Sequence, residues 1–270
     1  MIDIGVNLTN QRFVKDYDDV LNRAKQAGVK HLLITATDLA NTQQAIDLCQ
    51  KNNDFLSCTA GVHPHDADKV SHNYIDQLST LAQHASVTAI GECGLDFNRN
   101  FSTPENQLKV FKAQIALAAQ LNIPLFLHQR DAFELWFECL SPYFEQVPAM
   151  VSHCFTGDKK QLTRCLDAGM YIGITGWLCD PRRGEELRTL VNFIPLNRLL
   201  IETDAPYLTP KNIRPKPKSS RNEPSYLNYI VTMLAEKMHY SSAEIIAQTT
   251  LNAKKVFTLM PINDELKLKQ

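Results

Sequence analysis

The sequence predicts an α/β fold in which eight parallel strands close into a (β/α)8 barrel of the TIM type. Short apolar runs alternate with longer helical patterns along the 270 residues, and this alternation is typical of a parallel sheet with helical crossovers. Each run is continuously apolar, as expected of strands that are buried on both faces. No Gly-x-Gly-x-x-Gly or Walker A string follows any run, which disfavours the structural alternative, an open doubly wound sheet.

Eight apolar runs give the predicted strands in chain order. They are Ile2–Val6, His31–Ala36, Cys58–Val62, Val87–Gly91, Ile123–Leu127, Ala149–Ser152, Tyr171–Thr175 and Leu199–Ile201. Eight strand and helix units account for about 250 residues, the usual size of such a barrel. We therefore expect residues 1–270 to form one catalytic barrel domain.

Helices are predicted between the strands. From Glu105 to Leu121, apolar residues recur at three- and four-residue steps, after Thr103 as N-cap and Pro104 in the first turn. Gly28 and Gly169 each end a helical pattern and lead into the next strand. Further helices are expected at 16–27, 158–168, 225–238 and 242–257.

The composition limits the partners. A formal net charge of −1 gives no overall attraction for a polyanion, so any nucleic-acid binding must depend on a local patch. One long loop, 211–224, is basic and contains three prolines, and it cannot form regular structure. We expect this basic, proline-rich loop near the barrel mouth, although a solvated connection to the last helices is the alternative.

Cysteines and the amino terminus indicate the compartment. Seven cysteines occur without a Cys-x-x-Cys pair, which argues against a disulfide framework and against a zinc ribbon. The first residues lack a basic segment followed by an apolar one, and no apolar run approaches the ~20 residues of a membrane span. We expect a soluble, unprocessed, cytoplasmic protein without a membrane partner. We also expect a monomer, since a closed barrel needs no second copy.

Polar residues follow four of the predicted strands. Glu92, His128, His153 and Asp204 end or closely follow the fourth, fifth, sixth and eighth runs, at the barrel face where catalytic groups gather. A single histidine or acid at a strand end is more often a hydrogen-bonded structural residue. Four together predict a divalent-metal site, because imidazole and carboxylate suit Mg²⁺, Mn²⁺ or Zn²⁺ and a cation offsets the cost of burying two acids.

Other polar residues at the same face have less specific meanings. His63 and His65 follow the third run and could ligate metal, bind a substrate oxygen or cap a loop. Arg130 is suited to phosphate or carboxylate, with a salt bridge to a nearby acid as the alternative. Cys93 and Cys154 are interpreted as small packing residues, because neighbours on a strand point to opposite faces.

Four further residues carry weak signals. His31, His72 and His84 are interpreted as surface residues without function. Trp177 follows the seventh run and could stack on a base or cover the top of the barrel.

Several strings resemble one family. PLFLHQRDAFE from Pro124, LLIETDAP from Leu199, and GVHPH and GECGLDFNRNFSTPE are similar to the TatD family of metal-dependent deoxyribonucleases. The similarity runs through nearly the whole chain. It implies a metallo-dependent hydrolase barrel with ligands at Glu92, His128 and His153 and an acid at Asp204. It also implies Mg²⁺-supported 3′-to-5′ exonuclease action on single-stranded DNA or RNA, with a role in repair of oxidative DNA damage.

The first strand departs from the family pattern. Most relatives carry a His-x-His pair there, whereas this chain has Asp3-Ile4-Gly5-Val6-Asn7. A second metal ion would lack its nitrogen ligands, and Asp3 and Asn7 could at best hold a weakly bound, water-rich Mg²⁺.

We hypothesise that a metal ion activates water, that Asp204 accepts the proton, and that His63, His65 and Arg130 bind substrate. One rival is an amide, ester or lactone hydrolase of small molecules, since the fold does not decide the substrate. The basic loop and the absent His-x-His pair favour the nuclease. A second rival is a binding protein with a structural metal, although such sites prefer closed Cys/His shells.

Overall fold

The computed structural model describes residues 1–259, in which strands and helices alternate around a barrel. The strands are β1 Ile2–Val6, β2 His31–Ile34, β3 Leu56–Ala60, β4 Val87–Asp96, β5 Leu125–Arg130, β6 Met150–Ser152, β7 Tyr171–Ile174 and β8 Leu199–Ile201. The helices are α1 Tyr17–Gln26, α2 Leu39–Lys51, α3 Tyr74–Ala82, α4 Pro104–Leu121, α5 Phe133–Leu140, α6 Lys159–Asp167, α7 Glu185–Leu190, α8 Leu227–Met238 and α9 Ser242–Phe257. The domain predicted from the sequence ends at residue 270, and its residues 260–270 lie outside the part that the structure describes.

The eight strands pair in sequence order, and every pairing is parallel. The chain just beyond the end of β8 returns to the last residues of β1. There Val6 and Ala205 form a parallel bridge, and the Asp204 amide donates to the Gly5 carbonyl at 2.8 Å. The predicted (β/α)8 barrel is therefore confirmed.

Two strands are longer than the sequence predicted. β4 continues past Glu92 to Asp96, and β5 continues to Arg130, with Asp96 paired to Arg130 at their ends. The apolar pattern predicts strand ends at Gly91 and Leu127, directly before the first ionisable residue of each. The backbone ladder continues because polar side chains at the mouth of a barrel can face its open end while the main chain stays paired. Asp96 thereby enters the site.

Apolar side chains fill the barrel and close its amino-terminal end. Ile4, Phe126, Val151 and Leu200 are fully buried inside it. Phe257 of α9 joins this cluster, with its ring centroid 6.4 Å from that of Phe126. A second cluster, which includes fully buried Trp136 and Phe111, fills the layer between barrel and helices. The polar groups of the opposite end thus stand on a rigid, packed base.

Local signals in the sequence correspond to observed helix ends. Thr103 accepts a hydrogen bond from the Asn106 amide at the start of α4. Gly28 and Gly169 follow α1 and α6 with φ angles of 84° and 76°, which glycine adopts without a steric penalty. Both predictions are confirmed.

One histidine prediction was wrong. His31 is buried, and its Nε2 lies 2.8 Å from the hydroxyl of Ser57. It opens β2 inside the protein because its neighbour on β3 supplies a polar partner. Within residues 1–259, no helix is both long and apolar enough to cross a bilayer.

Candidate active site

The alternation of side chains along the strands brings the functional groups to one place. His128, His153 and Glu202 each lie two residues beyond an apolar side chain that faces the barrel interior on β5, β6 or β8. Since side chains two apart on a strand share a face, all three face inward at the carboxyl end. The expected convergence of polar groups is therefore present in the structure.

Glu92 lies at the centre of the cluster. Its Oε1 is 2.8 Å from His128 Nδ1, 3.4 Å from His63 Nε2 and 3.6 Å from His153 Nε2. Burial alone would raise the pKa of Glu92, but the imidazoles of His153 and His63 lower it well below its usual value. The carboxylate is therefore ionised, and it faces three nitrogen atoms from three different strand ends.

Asp96 forms a second contact point, which the sequence reasoning did not identify. It is buried, with Oδ2 2.7 Å from His65 Nε2 and 3.4 Å from His128 Nε2. Burial opposes its ionisation, but the nearby imidazoles of His128 and His65 hold its pKa well below its usual value. Alternation from Glu92 along β4 was the signal that could have found it, since positions 92, 94 and 96 share a face.

Glu202 is the other carboxylate that the sequence reasoning passed over. It is fully buried, its Oε2 is 2.5 Å from His153 Nδ1, and its Oε1 accepts from the Cys154 amide at 2.6 Å. Glycines on both sides make room for it. A Cβ at Gly5 or at Gly173 would stand 2.5 Å from one of the Glu202 oxygens. The side chain therefore fixes the ring orientation of His153.

Asp204 lies beyond β8 in a turn with φ of 53°, a left-handed conformation that aspartate tolerates better than most residues. Its Oδ1 accepts a hydrogen bond from Asn7 Nδ2 at 3.0 Å. Burial raises the pKa of Asp204 to about 7, since the attraction of His153 is offset by the repulsion of Glu92 and Glu202. The carboxyl group can therefore exchange a proton near neutral pH.

The cluster carries more negative than positive charge. Burial would lower the pKa of His153, but the carboxylates of Glu202 and Glu92 outweigh it and raise that pKa to about 10. The carboxylates thus favour the protonated, positively charged form of His153. A divalent cation would offset the same negative charge and would compete with this proton for His153.

Two observations indicate that the residues fit such a cation. The Nε2 atom of His128 is buried without a hydrogen-bond partner among residues 1–259, a costly condition for a polar atom. Two groups also have their ligand atoms within 4.8 Å of one another: His63, Glu92 and His128, and His153, Cys154 and Asp204. Mixed nitrogen and oxygen donors of this kind suit Mg²⁺, Mn²⁺ or Zn²⁺.

Within residues 1–259, both carboxylate oxygens of Asp3 on the first strand already accept hydrogen bonds. Asp3 is fully buried, and its carboxylate accepts from the backbone amide and the hydroxyl of Thr203. Glu202 occupies the space that a side chain at Gly5 would fill, and Asn7 Nδ2 donates a hydrogen bond to Asp204. The expectation that Asp3 and Asn7 could hold a weak ion was wrong for Asp3, because its oxygens already join β1 to the turn after β8. Asn7 lines the cavity, and its part of the expectation stays a prediction.

The two cysteines next to the expected ligands differ. Cys93 is fully buried, as expected for a packing residue. Cys154 lines the site, with its Sγ 3.4 Å from the Thr175 hydroxyl. The expectation for Cys154 was wrong because it lies after β6 with φ of 45°, so strand alternation does not apply to it. Burial raises the pKa of its thiol well above the usual value.

The groups surround an open cavity of about 480 Å³ at the barrel mouth. Arg130 and Arg99 line it, and neither guanidinium forms an ion pair within residues 1–259. The two acids expected near Arg130 have other partners, since Asp131 accepts from Asn98 and Glu134 pairs with Arg164. Arg130 is therefore free to bind an anion.

Trp177 also lines the cavity, and its orientation is fixed by a second arginine. Its indole nitrogen donates to the Arg183 carbonyl at 3.0 Å, and the Arg183 guanidinium lies 4.3 Å from its ring centroid. One ring face is thus covered by a cation.

An eight-stranded parallel barrel with imidazoles and carboxylates at its carboxyl end defines a barrel enzyme, because active sites of this fold lie at that end. The sequence profile of the family described as TatD related DNase matches residues 2–258. The chain belongs to this family, and the resemblance predicted from its motifs is confirmed.

Similar proteins support the assignment. A protein of Pectobacterium atrosepticum named 3′-5′ ssDNA/RNA exonuclease TatD is 52% identical over 259 residues, covering 96% of this chain and 100% of the relative. Its namesake from Salmonella typhimurium is 50% identical over 260 residues, with the same coverage. A TatD family hydrolase from Entamoeba histolytica superimposes with a TM-score of 0.87 at 30% identity over 95% of this chain and 97% of its own. A TatD homologue from Escherichia coli has a TM-score of 0.87 at 28% identity over 96% and 98%.

Proposed function

We propose that this protein is a metal-dependent 3′-to-5′ exonuclease that hydrolyses phosphodiester bonds of single-stranded DNA and RNA. The observation that carries the proposal is the buried Glu92 carboxylate, which contacts three imidazoles beside an open cavity lined by unpaired arginines. The activity named for relatives at about half identity over almost the whole chain supports the substrate class.

Glu92, His128, His153 and Asp204 are the proposed metal ligands. The cation, when bound, supplies a Lewis acid that activates water and polarises a phosphoryl oxygen. Glu92 is the central ligand because it is ionised and contacts both proposed histidine ligands. Glu202 keeps His153 oriented by its contact with Nδ1.

Asp204 is the proposed proton acceptor, with Glu92 as the other catalytic acid residue. Asn7 donates to Oδ1 of Asp204, so Oδ2 is left to take a proton. A pKa raised to about 7 by burial suits this task, since a general base works best near the pH of the medium.

His63, His65 and Arg130 are the proposed substrate-binding residues. Arg130 offers a planar pair of donors to a phosphate. The Nε2 atoms of His63 and His65 face Glu92 and Asp96, so His63 is also a candidate ligand, and His65 acts on substrate through its exposed edge.

We infer Mg²⁺ as the physiological ion, because cellular abundance favours it although Mn²⁺ and Zn²⁺ bind histidines more tightly. All seven cysteines are free thiols, which supports the reducing cytoplasm. A monomer, a single catalytic domain over 1–270 and a role in repair of oxidative DNA damage complete the proposal.

A time course on 3′- and 5′-labelled single strands, with wild type and Asp204→Asn, tests it. We expect wild type to release label at once from the 3′ end, and to shorten 5′-labelled strands stepwise, only with a divalent cation. Asp204→Asn should lower turnover at least about 100-fold, the low end of general-base effects. Wild-type turnover by Asp204→Asn at every pH would contradict the base assignment, and cleavage of small esters alone would favour the other hydrolase class.

A further inference from the structure

Two further cavities adjoin the one at the proposed metal site. The larger, about 680 Å³, lies beside the ends of β5 and β6 and shares Arg130 and Trp177 with the central cavity. The smaller, about 200 Å³, lies beside the turn after β8 and shares Arg183 and Tyr207 with it. A strand longer than one nucleotide can leave the central cavity along either of them.

The two cavities differ in charge. The ionisable residues that line the larger cavity are one cation and three acids: Arg130, Asp131, Glu134 and Asp158. Those of the smaller cavity are three cations and one acid: Arg12, Arg183, Lys211 and Asp180. Glu134 is paired with Arg164 at 2.6 Å, so within residues 1–259 the larger cavity keeps one cation and two unpaired acids. A phosphate backbone is therefore attracted more strongly to the smaller cavity than to the larger one.

The cations of the smaller cavity are available for binding. Arg183 pairs with Asp180 at 3.0 Å, so these two cancel. Arg12 and Lys211 are exposed, and neither forms an ion pair within residues 1–259. The Arg12 guanidinium donates to the Pro206 carbonyl at 3.1 Å, which limits its position and leaves its charge uncompensated.

An aromatic ring lies between these cations and the proposed base. Tyr207 lines both cavities, three residues after Asp204, and 49% of its surface is exposed. Its hydroxyl accepts a hydrogen bond from Asn10 at 3.1 Å, which limits rotation of the side chain. An oriented, exposed ring beside free cations is the combination that proteins use to bind single strands.

We propose that Arg12, Tyr207 and Lys211 form the binding site for the nucleotide on the 5′ side of the scissile bond. Arg12 and Lys211 bind the 5′-phosphate of that nucleotide, and Tyr207 stacks on its base. The terminal nucleotide that leaves carries no phosphate on its 3′ side, so the acidic larger cavity accepts it and disfavours a continuing strand. This inference rests on the proposed exonuclease function and explains its direction by charge.

The test compares Lys211→Gln with Lys160→Gln, an exposed lysine near Glu134 of the larger cavity. Each variant is assayed with Mg²⁺ on a thymidine hexanucleotide and on the dinucleotide, whose only phosphate is the scissile one. We expect Lys211→Gln to lower kcat/KM on the hexanucleotide and to reduce its dependence on log salt by about 0.7, the slope for one phosphate of a single strand. The dinucleotide rate should stay unchanged, and Lys160→Gln should match wild type on both.

Tyr207→Leu provides a second, independent test. On both substrates it should lower kcat/KM about fivefold or more, as expected for one lost stacking contact. An abasic site at the penultimate position should remove the difference from wild type.

Equal kcat/KM for Lys211→Gln and wild type, or an equal loss for Lys160→Gln, would overturn the inference. So would an unchanged Tyr207→Leu enzyme. Failure of wild type to cleave either substrate would instead refute the proposed function on which the inference depends, so the two failures are distinguishable.

Discussion

His153 is held from both sides of its ring. Glu202 contacts Nδ1 at 2.5 Å, and Glu92 Oε1 lies 3.6 Å from Nε2. The first contact orients the ring and the second faces the proposed ion. Glu202 therefore acts through His153, and its removal should weaken metal binding even though it is not itself a proposed ligand.

Glu202→Gln should lower affinity for Mn²⁺ about 10- to 100-fold, the usual effect of losing a partner behind a metal-ligating histidine. Titration of the ion into the purified variant checks this. Glu134→Gln is the matched control, because that acid pairs with Arg164 on the surface with 71% of its side chain exposed. Equal affinities for Glu202→Gln and wild type would contradict the positioning role.

His31 makes stability depend on pH. Burial lowers its pKa from 6.5 to about 4. Between these values the unfolded chain binds the proton and the folded chain does not, so the stabilisation is complete above pH 6.5 and is lost as the pH falls toward 4.

Acidification from about pH 7.5 to pH 5 should therefore cost wild type about 2 kcal/mol through this one residue. Urea unfolding at both pH values measures the loss, which His31→Gln should lack. His72→Gln, an exposed histidine, should keep the wild-type dependence. The same loss in all three proteins would mean that His31 does not titrate in this way.

At the scale of elements, α9 closes the barrel at the end opposite to the site. Phe257 is buried against Phe126, and Asn252 donates to the carbonyls of Leu196 and Leu199 at the start of β8. The helix thus fixes the entry of the last strand without touching the proposed ligands.

Phe257→Ala should lower the free energy of unfolding by about 3 to 5 kcal/mol, because a large apolar side chain leaves a cavity. The kcat at a temperature where the variant is folded should be unchanged. Leu251→Ala on the same helix is the control, since 59% of that side chain is exposed, and it should change stability by less than about 0.5 kcal/mol. A loss from Phe257→Ala as small as the control's would contradict the closing role.

The sequence predicted the strands and the four polar residues at or just beyond their ends, because buried parallel strands and their polar ends have a clear pattern. It did not predict Asp96, since β4 continues beyond the first acid, or Glu202, since spacing alone does not say which of two nearby acids faces inward. Cys154 was misjudged because a left-handed turn replaces strand alternation. These features depend on pairing between strands and on turns, which local patterns do not encode.

In the basic loop at 211–224, some cations are paired with acids and others are not, a difference that the sequence did not predict. Arg221 pairs with Asp16 and Glu223, each at 2.7 Å, and thereby ties the loop to the segment before α1. Lys211 remains available beside the mouth. The charge of the loop is therefore partly structural.

At the scale of the whole molecule, the barrel separates an apolar end from a charged one. Four acids, Glu92, Asp96, Glu202 and Asp204, gather around four imidazoles at the carboxyl end. Such an excess of buried negative charge is unfavourable without a cation. We therefore propose that this cluster binds a divalent ion.

Calorimetric titration of Mn²⁺ into wild type and Glu92→Gln measures that claim most directly. We predict saturable binding to wild type and affinity at least about 100-fold weaker in Glu92→Gln, because the variant loses the one charged ligand that contacts three imidazoles. Circular dichroism should give the same fold for both proteins. Binding of equal strength in wild type and Glu92→Gln would contradict the account.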